Sequence, residues 1–430
     1  MTLPVRFINH ACVAISPEGE GGGGEILLTD PWFSGEVFNR SWNLLIDGDW
    51  SLVDWPRVRH IWISHEHPDH LNFPTLKEIR NRVTGPGPLT LYYRAQKNKN
   101  VKEALEKMGF AVVELLPEVE LRISDKLAIT TYWRGQDTAA VIRCGEFVIV
   151  NQNDCQLKNA VARRLKRDAL RRYGCIDLLL FQFSLAGYYA NADDPEGLRR
   201  ARENHLAMIE RYVGIFEPRV YVPFASFVYF CKTANCFLND WAVPLDEVAA
   251  LSSLGGRVQV CTPGDVVQAD AQDASAQAQR IAYWRELFKR ERHCHAPRET
   301  GAEALLAAGR QFVAEVAAVA PRWLRPGKTA YFLDDMAQYL ILDYRGALCD
   351  IKPELGGAVL AGTLPTEELL FFLRFPWGAD TLNITSAFNV ADKLAWKRTL
   401  YLKHLLYVVR SRWTRKLIAP AAWVIAVLRT

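Results

Sequence analysis

No Cys-x-x-Cys pair occurs anywhere in the 430-residue chain, and its nine cysteines are scattered and odd in number. That excludes a disulfide framework and a paired-cysteine zinc module as the organising element. No uninterrupted apolar stretch approaches the roughly 20 residues of a membrane span. Residues 1–6 lack the basic n-region and apolar h-region of a signal peptide, and no segment repeats. A cytoplasmic protein with reduced thiols is therefore expected. Half of the residues are hydrophobic and 23% are charged, a globular composition. The length exceeds one ordinary core, so two domains, or one large domain with an appendage, are expected.

Acidic residues are scarce in one place. Residues 391–430 hold nine Lys and Arg against Asp392 alone, a local charge of +8 that leaves −4 for the remainder of a chain whose net charge is +4. An acidic body argues against nucleic acid as a partner. The tail interleaves its cations with Trp396, Tyr401, Tyr407, Trp413 and Trp423. Two readings stand: peripheral contact with anionic lipid, or a terminal helix packed on the domain with its long cations reaching outward.

What is abundant is histidine, in one place. Four of the nine His (His60, His65, His67, His70) fall within eleven residues, at the end of the apolar run Arg59-His60-Ile61-Trp62-Ile63-Ser64. That run has the β-branched and aromatic character of a buried strand. Pro68 disfavours helical backbone at His67, so His65-Glu66-His67-Pro68-Asp69-His70 reads as a loop leaving the strand. In such a loop His65 and His67 can reach one metal while Asp69 and His70 turn toward a second. Imidazole with carboxylate suits zinc, iron or manganese.

Around this loop the first 265 residues alternate strand-like segments (5–9, 11–15, 25–30, 127–132, 139–143, 146–151, 177–183, 219–223) with helical ones (76–82, 101–108, 197–213). Strands with helices laid outside predict an α/β sandwich. Beyond Gly264 the pattern predicts helices over 280–292, 302–319 and 366–373, strands within 329–350, and strand and turn over 380–390.

A strand ending in His-x-His-x-Asp-His resembles the metal-binding loop of the metallo-β-lactamase superfamily. Phe7-Ile8-Asn9-His10-Ala11-Cys12 and Leu27-Leu28-Thr29-Asp30-Pro31-Trp32 resemble the opening hairpin of its lactonase-like branch. A narrower likeness, carried by residues 65–77, 151–155 and 218–225, is to the CMP-N-acetylneuraminate hydroxylases. The resemblance implies an αββα sandwich over 1–265, a helical linker over 266–328, and a C-terminal α/β extension over 329–430 that includes the basic tail. It implies one or two divalent ions held by His65, His67, Asp69, His70 and Asp154, with Asp69 also serving as proton acceptor. His10 and Asp30 would stand behind the ligands and hold them by hydrogen bonds. Arg134 and Lys232 would line the mouth and bind a substrate phosphate or carboxylate.

Three departures bear on the ligand set. The family's third His is missing near 132–137, and its last His is replaced by Cys231, Lys232 and Asn235 after the strand at 219–223. The Cys-x-His and Cys-x-x-His pairs of a Rieske centre are also missing beside Cys12, Cys144 and Cys155. Residues that could fill in are His10, Gln136, Asp137, His205 and Cys231. Of these, His205 reads as a surface residue and Cys231, like Cys236, as a buried thiol. His293-Cys294-His295 reads as a solvated helix end.

Three functions follow as expectations. The first is metal-dependent hydrolysis of a phosphorylated or acylated small molecule by a metal-activated water. The second is a non-haem iron oxygenase that hydroxylates an N-acyl sugar or related metabolite with electrons from a separate ferredoxin or Rieske partner. The third is a degenerate fold that binds without turnover.

Overall fold

A computed structural model describes residues 2–19, 22–84, 87–270 and 273–410. The strands Ile26–Thr29 and Val58–Trp62 are buried almost throughout and pair in parallel, as strands covered on both faces do. They form the centre of a seven-stranded mixed sheet in the order Val266–Gln268, Thr2–Asn9, Cys12–Ile15, Ile26–Thr29, Val58–Trp62, Thr90–Arg94, Ala111–Leu115. A second sheet runs Val220–Phe224, Leu178–Gln182, Phe147–Asn153, Asp137–Cys144, Leu127–Arg134, Glu120–Arg122. Phe7, Trp62, Ile129, Ile149 and Val222 belong to one buried core that joins the two sheets.

Helices cover the outer faces. Phe73–Arg82 begins where the Asn72 side chain accepts from the Thr75 amide, with proline in its first turn, and buries Leu76 and Ile79 on the first sheet. Asn100–Lys107 adds Leu105 to the same layer. On the other side Pro195–Phe216 starts from an Asp194 cap and buries Ile209 and Tyr212. The expected αββα sandwich is thus present. The helix Asn159–Tyr173 and the strands Thr90–Arg94 and Ala111–Leu115 were not anticipated from the sequence. Asn159–Tyr173 has no side-chain cap, and only Ala162, Leu165 and Ala169 are buried among its many cations, so its apolar stripe is faint.

A separate five-stranded sheet forms the C-terminal region, in the order Leu348–Lys352, Gln338–Asp343, Lys328–Leu333, Val359–Leu364, Asn389–Val390. The helix Ala302–Val319, read from the sequence as part of the linker, contributes Leu305, Phe312 and Val316 to the core of this sheet. Residues 380–390 match the expected strand only at Asn389–Val390; before it, Gly378–Thr385 is a helix that buries Thr381, Leu382 and Thr385 on one side and stops at Ser386, whose φ is 54°. The helix Lys393–Arg410 packs Ala395, Trp396, Leu402 and Leu406 into the C-terminal core. Residues 411–430, which carry the rest of the basic tail, lie outside the described residues. No helix among the described residues is long and apolar enough to cross a membrane.

His205 is a correction. It faces inward from Pro195–Phe216, is buried, stacks on Phe181 and lies 3.4 Å from the Gln182 carbonyl. Burial lowers its pKa to about 4, below the ordinary value near 6.5. The folded chain therefore holds fewer protons here than the unfolded one. The stabilisation is complete above pH 6.5 and is lost as pH falls toward 4, to a total of about 3 kcal/mol at about 1.4 kcal/mol per unit. Urea midpoints between pH 7 and 4.5 should fall less in His205→Phe than in the parent; equal slopes would count against this.

Candidate metal centre

Loops leaving the strand ends of both sheets carry the histidines and carboxylates to one place. His10 follows Thr2–Asn9, Asp30 follows Ile26–Thr29, and His65–His70 follows Val58–Trp62, all from the first sheet. Asp154 follows Phe147–Asn153 and Ala225 follows Val220–Phe224, from the second. The backbone at these ends is left-handed at non-glycine residues: φ is 31° at His10, 35° at Asp30, 43° at Asn153 and 49° at Ala225. Such conformations cost roughly 1–3 kcal/mol each and persist where surrounding structure over-determines them. Here the hydrogen bonds do so. Ala225 N–H donates to the His10 carbonyl at 2.9 Å, Asp30 N–H to the Trp62 carbonyl at 3.0 Å, and the Asn153 side-chain amide to the Thr138 carbonyl at 3.1 Å.

Two donor clusters result, His65–His67–Asp154 and His10–Asp69–His70, each with its ligand atoms within 4.8 Å of one another. Asp154 joins them: its Oδ2 lies 3.5 Å from His65 Nε2 and 3.6 Å from His70 Nε2. His70 Nε2 and His10 Nε2 stand 3.5 Å and 3.4 Å from Asp69 Oδ2. His10, expected behind the ligands, thus stands among them. Asp30 stands on the far side of the His70 ring from the cluster. It is fully buried, accepts from the Ser64 amide and hydroxyl at 2.7 Å each, and sits 3.0 Å from His70 Nδ1. A carboxylate there keeps the proton on Nδ1 and turns Nε2 toward the cluster.

The charge pattern follows from crowding. Burial alone would lower His70, but the carboxylates of Asp69, Asp154 and Asp30 raise it to about 10. His65 is driven well below its ordinary value by burial, then by His70, His67 and the Arg94 guanidinium. Burial would also lower His67, yet Asp380, Asp69 and Asp154 bring it up to about 9.

A bound cation is tested by what the donors lack. Both ring nitrogens of His10, Asp69 Oδ1 and Asp154 Oδ1 are buried with no hydrogen-bond partner, a state that costs about 1–3 kcal/mol per group unless something else satisfies it. His65 Nε2 faces His67 Nδ1 at 2.8 Å, so two imidazoles meet nitrogen to nitrogen. Imidazole and carboxylate donors converging with free lone pairs fit divalent ions of the zinc, iron or manganese class. The site therefore fits one or two such ions, and a small-molecule substrate fits its architecture. The His10–Asp69–His70 cluster is deep. His67, at 29% side-chain exposure, and Asp154, at 23%, face solvent, which makes theirs the approach side.

Sequence reasoning missed several neighbours. Asp380, from the Gly378–Thr385 helix, holds His67 Nε2 at 3.0 Å across 313 residues of chain; no local pattern announces it. Arg94 donates to the Gly135 carbonyl at 2.8 Å and lies over Trp133. Tyr93 donates to Glu66 at 2.6 Å, fixing the middle of the His loop. Asp137, one of the suggested fill-in residues, feels the charges of His67, Arg134, Asp380 and His70, and burial raises its pKa. Arg134 is exposed in the turn that carries Asp137, 3.4 Å from Gln156.

Lys232 requires correction. It is buried, its Nζ paired with Glu367 Oε1 at 2.9 Å and with Glu368 Oε1. An ammonium sequestered between two carboxylates does not line a mouth.

No family model matches the chain. A cytidine monophosphate-N-acetylneuraminic acid hydroxylase of Danio rerio is 24% identical over 290 residues, covering 62% of this chain and 46% of the relative. The Asterias rubens protein of the same name is 26% identical over 244 residues, covering 52% and 34%. The chain thus spans less than half the length of these relatives. Among solved structures, the metallo-β-lactamase fold protein YhfI of Bacillus subtilis aligns with a TM-score of 0.39 and 14% identity over 62% of this chain and 97% of that one. The chain thus has a two-sheet α/β sandwich of the metallo-β-lactamase type with donors at its strand ends, and it is similar at low identity to the CMP-N-acetylneuraminic acid hydroxylases.

Proposed function

We propose that the protein is a metal-dependent hydrolase acting on a phosphorylated or acylated small molecule. One observation carries this reading: two adjacent donor clusters, one deep and one open to solvent, bridged by Asp154, with unsatisfied lone pairs on both sides. His65, His67 and Asp154 would hold one ion, and His10, Asp69 and His70 the other. Bound there, such ions supply a Lewis acid and a water acidified to near neutrality. Asp30 orients His70, and Asp380 holds the far nitrogen of His67 so that Nδ1 turns to His65. Asp69 Oδ1, buried and unpartnered, is positioned to take the proton of the attacking water. Arg134, exposed near Asp137, suits an anionic group on the substrate.

The test is elemental analysis of protein purified without added metal, with hydrolysis of chromogenic phosphodiesters, esters and lactones before and after chelation. Stoichiometric zinc or manganese with chelator-sensitive turnover is the expected result. Asp69→Asn should lower kcat by at least about 10²-fold. Absence of stoichiometric metal would overturn the proposal. Iron with oxygen-dependent turnover would replace it with hydroxylation, the activity named for the relatives.

A further inference from the structure

A second group of metal-binding side chains lies outside the site just described, and nothing in the proposed reaction uses it. Glu36, Cys231 and His295 place a carboxylate oxygen, a thiol and a ring nitrogen within 4.8 Å of one another. They come from three distant segments. Glu36 sits in the loop after Ile26–Thr29, where Phe38, Asn39 and Arg40 are consecutively left-handed, with φ of 51°, 54° and 63°. Cys231 follows the short strand Val228–Phe230. His295 lies in the connection between the helices Ala274–Lys289 and Ala302–Val319.

The backbone holds these segments in register. His295 N–H donates to the Cys231 carbonyl at 2.7 Å, Thr233 N–H to the His295 carbonyl at 2.9 Å, and Cys231 N–H to the Ser41 carbonyl at 2.9 Å. The segment carrying His293-Cys294-His295 is therefore extended and paired, not the solvated helix end expected from sequence. Cys231 is fully buried, its thiol 3.1 Å from the Arg40 carbonyl. His295 Nε2 contacts Glu36 Oε1, and both side chains keep about a quarter of their surface exposed, at 28% and 26%. Solvent thus reaches the oxygen and nitrogen while the sulfur lies beneath them. A site of this kind has both a seat for an ion and a path for its entry.

We propose that Glu36, Cys231 and His295 form a second site for a zinc-class divalent cation, independent of the His65–Asp154 centre. A soft sulfur with an imidazole and one carboxylate selects borderline ions such as zinc or cobalt over magnesium or calcium. Zinc takes sulfur at about 2.3 Å and nitrogen or oxygen at about 2.0–2.2 Å, so donors around one ion stand up to about 4 Å apart, a separation that three donors gathered within 4.8 Å can adopt by small side-chain shifts. Ligation requires the thiolate, so the proton that Cys231 shares with the Arg40 carbonyl leaves to solvent as the ion enters. Three protein donors leave one position for water on the exposed side. The ion would fasten the connection between the two helices to the loop whose Phe38 ring packs edge-on against His67, with centroids 5.7 Å apart.

Cobalt titration of the full chain under thiol-free reducing conditions tests this. Sulfur-to-cobalt charge transfer in the near ultraviolet reports a thiolate ligand, and the His/Asp centre contains none. The intact protein should show the band. Cys231→Ser should abolish it and lower bound cobalt by one ion per chain. His295→Ala, at a partly exposed position, should weaken the cobalt affinity read on that band by at least about tenfold, the lower bound seen even for residues that only support ligands. His67→Ala should keep the band while losing metal elsewhere, so failure of the hydrolase reading and failure of this one are separable. No band in the intact protein, or a band that survives Cys231→Ser, would overturn the proposal.

Discussion

Replacing Asp154 by alanine should release most of the metal from both donor clusters, because one carboxylate lies 3.5 Å from His65 and 3.6 Å from His70. His67→Ala removes a ligand of one cluster only, so it should leave more metal behind. Asp30→Ala is milder still. It removes the group that orients His70, and the loss of such support weakens affinity by about 10–100-fold. The three variants thus form a graded series, read by elemental analysis after dialysis. Thermal melting supplies a second measure: an ion that binds only the folded chain raises Tm with its concentration. Tm should rise with added metal in the parent and rise less in Asp154→Ala. Unchanged metal content in Asp154→Ala and His67→Ala would refute the ligand assignment.

Lys232→Met should be the most damaging single change to stability. The ammonium is 2% exposed, and its partners Glu367 and Glu368 are 9% and 1% exposed. Taking away the cation strands buried carboxylates, a change that costs about 3–5 kcal/mol. Burial already raises Glu368, against the lowering effect of Lys232, so without Lys232 this carboxyl takes up a proton and the variant becomes more stable at lower pH. The triad joins residues after Val228–Phe230 to the helix Thr366–Arg374, so the C-terminal region should become protease-sensitive first. Adding Glu368→Gln should recover part of the loss, since the cost comes from the unpaired charge and not from the missing side chain. A shift of under 1 kcal/mol in Lys232→Met, from urea unfolding, would show that the pair contributes little.

How legible each feature was depends on the range of the interaction behind it. The His65–His70 loop could be read because its ligands sit within six residues and its strand and proline act locally. Ala302–Val319 was read to the residue because its apolar positions recur at helical spacing. Asn159–Tyr173 was not, because Arg and Lys dilute its buried face. His205 was misplaced on the surface because its helix carries Arg202 and Glu203 beside it, and neighbours in sequence do not say which face turns inward. Lys232 was misassigned for a related reason: Glu367 and Glu368 are more than a hundred positions away.

The sequence alone determined the chemistry on offer: a histidine-rich loop after a buried strand, a lone Asp154 after another, and an α/β sandwich to carry them. Tertiary structure alone decided which donors meet. It drew His10 into the cluster, put Asp380 behind His67, paired Lys232 with two glutamates and brought Cys231 to His295. Each of these contacts joins segments whose separation along the chain leaves no periodic trace. Packing of the two sheets face to face stacks the strand ends that carry His10, the His65–His70 loop and Asp154 into one rim, while Asp380, Glu367 and Glu368 arrive from helices of the C-terminal region.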